Sequence, residues 1–312
     1  MRRVVAIDAT TLRVPHVPEC AEYFGGMTTS CGKFRPLARA SALYDVARGC
    51  FVDAVMGGLA VDERKLAAHH LDALGPNDLL LMDRGYPSRS WFGALNARGI
   101  GFCARISSVR WGAVLRFERS DNREAIVDMG TPDSPLLLRL LRHILSNGSV
   151  LILATNIMDS TITPAEFADL YHSRWRIEEG FKLLKARLQV ENWSGVLPHT
   201  VLQDFFATLV RINCAAVLAL EIQESPATGQ SEGEKHPSSS GWRSALNATL
   251  VIKALRHYLP RILLEMDCSD ALKKLLVRLR SPGAHEKICP NRKNIRSKGV
   301  RLAGFHPAYK TA

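Results

Sequence analysis

The residues best placed to do chemistry are three acids. Asp8 follows the apolar run Val4-Val5-Ala6-Ile7, and Asp83 follows Leu79-Leu80-Leu81-Met82. Each run is short, apolar and uninterrupted, which predicts a buried strand ending at its carboxylate. In an open α/β sheet, sites form at the carboxyl ends of strands. Parallel neighbours would bring the two carboxylates together, where they repel unless a cation lies between them. A partly open set of oxygen ligands suits Mg²⁺ or Mn²⁺. One Asp at a strand end usually caps the next turn instead, so only the pair points to a site.

The third acid, Glu178, lies on a predicted helix that starts at Thr163-Pro164-Ala165-Glu166 and runs to about Leu188. Thr163 serves as N-cap, Pro164 fills the first position and Glu166 the third. With Tyr171 at zero and about 100° per residue, Arg174 falls near 300°, Lys185 near 320°, Glu178 near 340° and Lys182 near 20°. These five occupy an arc of roughly 80°, beside the apolar Leu170, Ile177, Phe181, Leu184 and Leu188. A solvated face with a Glu178–Lys182 pair accounts for the lysines. It accounts less well for a Tyr and an Arg on the same stripe.

The surrounding elements must position these residues. Ser41 to Val46 and Cys50 to Met56 read as two strands joined at Arg48-Gly49, after an irregular loop or hairpin over 15–36. Asp62 to Leu74 and Ser88 to Arg98 read as helices, and Gly101 to Ile106 and Ser149 to Thr155 as buried strands. Val109 to Phe117 and Ala125 to Met129 suggest short strands, whereas Leu136 to Leu145 fits helix or strand. Pro198 to Glu224 reads as a long, mostly buried helix. Ser225 to Ser240 has linker composition, and Trp242 to Tyr258 and Pro260 to Arg280 read as further helices.

The spacing Tyr171-x2-Arg174-x3-Glu178-x6-Lys185 resembles the Y-x2-R-x3-E-x6-K signature of insertion-sequence DDE transposases of the IS-four type. Ile7-Asp8-Ala9-Thr10 and Leu81-Met82-Asp83-Arg84-Gly85-Tyr86 are similar to the family's two aspartate strands, and the resemblance spans about residues 3–200. It implies an α/β fold: an RNase H-like catalytic core (1–106 and 148–200), an inserted β-rich subdomain (107–147), C-terminal helices (201–280, interrupted by 225–240) and a basic tail (281–312). It further implies that Asp8, Asp83 and Glu178 hold two Mg²⁺ (or Mn²⁺) ions for phosphodiester hydrolysis and strand transfer. Tyr171, Arg174 and Lys185 would contact DNA near the cut; Lys182, on geometry, and Arg84, beside Asp83, join them. The implied partners are double-stranded DNA, both element ends and target, and a second copy in a DNA-bound homodimer. The implied location is the cytoplasm, at the nucleoid. In some relatives a Trp in the insertion stacks on a flipped base. Trp111 is the one Trp within 107–147, although buried aromatics mostly serve packing. Family members carry an N-terminal helical domain, whereas seven residues precede Asp8 here. Two other readings therefore stay open: a DNA-binding remnant without transposition, and an RNase H-like nuclease without strand transfer.

Composition bounds these readings. The chain has 312 residues, 46% hydrophobic and 23% charged, which is ordinary globular content. No uninterrupted apolar run reaches the roughly 18 residues of a membrane span, so no membrane partner is expected. Seven widely spaced cysteines without a CxxC predict reduced thiols. No Walker A, GxGxxG or hydrolase elbow occurs, and His69-His70 with Asp72 lacks a third metal ligand and reads as surface. The net charge is +11. Residues 253–312 hold 14 Lys+Arg against 4 Asp+Glu, whereas residues 1–252 are nearly balanced. Arg292, Lys293, Arg296, Lys298 and Arg301 of the tail are therefore expected on the phosphate backbone.

Overall fold

The computed structural model describes residues 2–224, 243–264, 267–281 and 285–288. The chain divides into two compact units, one of residues 1–182 with 195–202 and one of 183–194 with 203–312.

The first unit is built on one mixed sheet. Its elements run β1 (Arg3–Arg13), α1 (Pro18–Phe24), β2 (Gly26–Thr28), β3 (Phe34–Asp45), β4 (Cys50–Gly58), α2 (Glu63–Ala68), β5 (Asp78–Met82), α3 (Arg89–Ala97) and β6 (Gly101–Arg105). Then follow α4 (Gly112–Arg119), β7 (Glu124–Asp128), β8 (Leu137–Ile144), β9 (Val150–Thr155), α5 (Pro164–His172) and α6 (Trp175–Lys182). The strand order is β2-β3-β1-β5-β6-β9-β8-β7, with β4 also paired to β3. β1, β5 and β6 are mutually parallel and the other pairings antiparallel. The apolar runs of β1 and β5 fall at the sheet centre, flanked on both sides, which is why they are uninterrupted.

One sheet face presents Val5, Ile7, Leu43, Leu80, Met82 and Phe102 to a core completed by α3 and α4. Within it Phe92 stacks on Phe102 at 4.5 Å and 4°. The other face packs α6 against β1 and β3, and α5 against β6, β8 and β9. The Arg3 guanidinium grips the buried Asp78 carboxylate at 2.7 and 2.8 Å, tying the start of β1 to that of β5.

Residues 107–147 do not form a sheet of their own: β7 and β8 extend the central sheet beyond β9. The strand expected over Val109 to Phe117 is instead a 3₁₀ turn (Ser108–Arg110) followed by α4. Trp111, Val114 and Phe117 are buried, and their i, i+3, i+6 spacing is helical. Leu136 to Leu145 resolves as β8, whose inward residues bury Leu138 and Leu140. The loop expected over 15–36 contains α1 and β2.

The second unit holds α7 (Pro198–Glu224) from Gln203 onward, β10 (Arg243–Leu246), α8 (Ala248–Leu264), α9 (Ser269–Arg280) and β11 (His285–Ile288). β10 pairs antiparallel with β11, so the helix expected from Trp242 begins later, at Ala248. α8 runs through Pro260 and α9 starts at Ser269, so the helix boundary expected at Pro260 is displaced. The expected burial of α7 is not found, since only 28% of its most apolar window is buried. Phe206, Val210 and Val217, spaced along one face, are exposed. By length and composition α7 could cross a membrane, a test that a single core helix also passes. The 225–240 linker and the five tail cations lie outside the described residues. Cys20, Cys31, Cys50, Cys103, Cys214 and Cys268 are all free thiols.

Candidate active site

The register of β1 and β5 sets the first two acids. Ala6 stands opposite Leu81 in the parallel pair. Two residues further along each strand come Asp8 and Asp83, at one level and, by alternation, on one face. Asp8 does not end its strand as the sequence suggests, because β1 continues to Arg13. What stops after Ala6 is the pairing to β5; from there β1 is held by β3 alone. The site thus opens where the sheet splits. Asp83 Oδ1 accepts the Gly85 N–H at 2.8 Å. A Cβ at Gly85 would stand 3.1 Å from that oxygen, so glycine keeps this turn tight beside the carboxylate.

Glu178 arrives on α6, which buries Ile177 and Phe181. A Cβ at Gly180 would meet the Tyr44 ring at 2.9 Å and Phe51 at 3.2 Å, so the helix lies as close to the sheet as its backbone allows. Arg176 Nη1 donates to Val46 O at 2.7 Å and fixes the helix lengthwise. The capping box expected at Thr163 and Glu166 is present. The single helix expected to Leu188 is not. Ser173 and Arg174 separate α5 from α6, with the Ser173 hydroxyl on Leu170 O and i→i−3 bonds from Arg174, Arg176 and Ile177. A π-helical turn follows at Leu183–Arg187. Each departs from 100° per residue, so the expected stripe does not persist: Tyr171 and Arg174 turn inward, while Lys182 is exposed.

Arg174 organises the centre. It is 7% exposed; its Nη1 donates to Asp8 Oδ2 at 3.2 Å and its Nη2 to Glu178 Oε1 at 3.0 Å. Its guanidinium also lies 5.9 Å from the Tyr171 and Trp175 ring centres. Burial pushes the Asp8 carboxyl up to about 6, opposed by the Ala9 N–H and Arg174 and reinforced by Asp83 and Glu178. Asp8 and Glu178 thus share one guanidinium, with Asp83 registered beside Asp8 on the neighbouring strand. Among the described residues no three metal-ligating side chains already converge on one point, because Arg174 fills the space between Asp8 and Glu178. The donors nevertheless fit a hard divalent cation: all are carboxylate oxygens with free lone pairs, and their charge exceeds that of Arg174. Tyr86 adds a buried hydroxyl without a partner. Burial first, then Asp8, Glu63 and Asp83, pushes its pKa well above the usual phenol range and keeps it protonated.

The family model of the transposase DDE domain matches residues 1–214. The chain belongs to the transposase DDE-domain family. Transposase InsG of insertion sequence element IS4 from Escherichia coli strain K12 is 25% identical over 241 residues, covering 71% of this chain and 53% of that protein. The chain therefore spans about half the length of that relative. A cryo-EM structure of the piggyBac transposase synaptic complex with hairpin DNA superposes with a TM-score of 0.51 at 11% identity. It covers 90% of this chain and 59% of that one, a likeness of fold. The α/β core of this DDE domain is RNase H-like, as the resemblance implied. DDE transposases generally use divalent metal ions.

The residues expected on DNA divide in this DDE domain. Arg174, expected on DNA, is buried and engaged with Asp8 and Glu178. Tyr171 is buried beside it; burial raises its pKa, Arg174 opposes this and Asp83 adds to it. Lys182 is exposed and pairs with Glu179, not with Glu178 as helix spacing suggests. Arg84 is exposed and, with Arg64, lines a cavity of about 440 Å³ floored by Ile106 and Trp111. Lys185 lies in the π turn, within the second unit. Trp111 is buried 6.3 Å from the Phe92 ring, with Arg89 Cζ 5.3 Å from its own ring, which is a packing role. His70, expected at the surface, is fully buried: its Nδ1 is 2.7 Å from Asp53 Oδ2 and its Nε2 3.0 Å from Ser41 Oγ. Nothing in the linear spacing of 41, 53 and 70 signals this cluster; only the pairing of β3 with β4 creates it.

Proposed function

We propose that the chain is the catalytic domain of a DNA transposase, with Asp8, Asp83 and Glu178 as its metal-binding triad. The observation that carries this reading is the pairing of a strand carboxylate, Asp8, and a helix carboxylate, Glu178, with one guanidinium, with Asp83 in register beside Asp8 on the parallel strand. Divalent ions, Mg²⁺ or Mn²⁺ and two in number, would be held by the triad and would supply activation of the attacking oxygen and charge stabilisation of the leaving one. The chain's own residues do the rest. Arg174 holds Asp8 and Glu178 in fixed orientation. Tyr171 packs behind Arg174, and Lys182, Lys185 and Arg84 offer cations to DNA phosphates. In the first step a water oxygen bonds to phosphorus at the element end and the P–O3′ bond breaks, leaving a 3′-hydroxyl and a 5′-phosphate. In the second that 3′-oxygen attacks a target phosphodiester and displaces the target's own 3′-oxygen, so the number of phosphodiester bonds is unchanged. Two copies acting on two paired ends would complete the reaction.

The test is cleavage of labelled element ends by the full chain with Mg²⁺ or Mn²⁺, beside Glu178→Gln. We expect nicked 3′-ends and joined product from the wild type and a loss of about 10³-fold or more in the variant, equivalent to several kcal/mol of charge stabilisation. Nicking without joining would favour a nuclease. Equal cleavage by Glu178→Gln would sink the triad, and binding without cleavage would favour a DNA-binding remnant.

A further inference from the structure

The helical unit contains a cavity of about 530 Å³ whose charged lining is entirely cationic among the described residues. Arg187 comes from the π turn, Arg211 from α7, and Lys253, Arg256 and His257 from α8; no described Asp or Glu contributes. Lys253 and Arg256 follow i, i+3 spacing and so form one cationic stripe, with His257 beside it. Like charges at that spacing weaken a helix unless an anion relieves them. Elsewhere in the described chain Arg3, Arg139 and Arg98 pair with Asp78, Glu124 and Asp72, whereas no described Asp or Glu lines this cavity.

Two further details belong to this cavity. Arg211 is half-buried, and its Nε is fully shielded with no hydrogen-bond partner. Burial and then the nearby Arg256 depress its ionisation, a sign of crowded cations. Gln189, also in the lining, has φ of 50°, the left-handed conformation that long side chains avoid. Crowded positive charge and backbone strain at one place are costs that an anionic ligand would offset. Guanidinium forks match phosphate oxygens in pairs.

We infer that this cavity is a phosphate site that takes the sugar-phosphate backbone of duplex DNA. Its anion chemistry stands independently; naming DNA as the source rests on the function proposed above. The cavity is distinct from the triad and reads no base sequence, because phosphate contacts position a duplex without specifying it.

The experiment measures binding of the full chain to a 30-base-pair duplex of arbitrary sequence without divalent ions, across 50–200 mM KCl. The double variant Lys253→Gln/Arg256→Gln changes two exposed side chains, and circular dichroism checks its fold. Its plot of log affinity against log salt should be shallower by about 0.9 for each phosphate that is no longer neutralised, close to 2 in all. Affinity at 100 mM should fall at least about tenfold. The control Lys65→Gln/Arg119→Gln removes two exposed cations from the other unit and should leave the slope unchanged. An unchanged slope in a folded double variant overturns the inference, as does equal flattening in the control, which would reduce the effect to bulk charge. A parallel arm titrates inorganic phosphate and reads the thermal shift. Stabilisation by phosphate that the double variant loses, with DNA binding intact, would assign the pocket to free phosphate and overturn the DNA assignment. None of these readouts needs cleavage, so an inactive triad with a flattened slope would refute the function above and leave this site standing.

Discussion

Two polar clusters lie on the same sheet and are completed in opposite ways. Ser41 on β3, Asp53 on β4 and His70 form the donor–acceptor chain of a nucleophilic triad. Yet Ser41 and His70 are 0% exposed, and the imidazole has a partner at both nitrogens. No substrate can reach the hydroxyl, and the network acts as a strut between β3, β4 and the 3₁₀ turn His69–Ala73 that carries His70. Asp8, Asp83 and Glu178 are instead half-open, and a single Arg174 leaves their negative charge in excess. A saturated polar cluster supports the fold, whereas an unsaturated one retains the capacity to bind.

The sharpest test of that contrast separates activity from stability. Asp83→Asn should lower metal-dependent cleavage by about 10³-fold or more and leave the melting temperature equal or slightly raised, since a like charge is removed. Cleavage assays and thermal melts on one preparation check both. A variant that melts much earlier would make Asp83 a strut like His70 and end the distinction.

Arg174→Gln probes the other side of the same balance. It leaves Asp8 and Glu178 without their shared cation, and breaking such a pair costs about 3–5 kcal/mol. Mg²⁺ should then raise the melting temperature more in the variant than in the wild type, because the ion takes over the missing compensation. An equal Mg²⁺ response in both chains would show that the acids do not recruit the ion. Gly180→Ala tests how tightly the helix acid is held. The methyl group has no room against Tyr44 and Phe51, so about 1–3 kcal/mol of stability should be lost to overpacking. Cleavage should fall with it as α6 lifts Glu178 from Asp8. Retained cleavage with unchanged urea midpoints would mean that the helix tolerates displacement.

The legible part of this molecule is the part governed by short-range pattern. The apolar runs before Asp8 and Asp83 predict their strands, and Thr163-Pro164-Ala165-Glu166 predicts the start of α5, because burial on both faces and capping each leave a local trace. Side-chain direction along 171–185 is not legible. Uniform 100° steps fail where Ser173 tightens the chain and the π turn loosens it, and neither has a strong residue signature. Arg174 therefore reads in sequence as a DNA contact and is found between acids. The Ser41–His70 hydrogen bond depends on strand pairing, and α4 has a short amphipathic pattern that also fits a strand. The cation-lined cavity is foreshadowed only as a charge excess beginning at Lys253; its wall draws on three separated segments that no linear reading joins.

The strut itself makes the smallest prediction, and it carries a sign. Burial lowers the ionisation of His70, although Asp53 raises it; His69 nearby also lowers it. The folded chain therefore keeps the imidazole neutral at a pH where the unfolded chain, with a histidine near 6.5, takes up a proton. Stability from this residue is fully present above 6.5 and is lost as pH falls from there toward the lower folded value. The loss can reach about 1.4 kcal/mol per pH unit for one proton. Urea unfolding at pH 7.5 and 5.5 should show it as a difference between the wild type and His70→Gln, which has nothing to titrate at that position and retains every other group. The variant should also cleave DNA at the wild-type rate per folded molecule. If it loses stability but keeps the full pH dependence, the titrating group lies elsewhere. If it folds normally and loses cleavage, the buried network reaches the acid cluster through β3, and the two clusters form a single device.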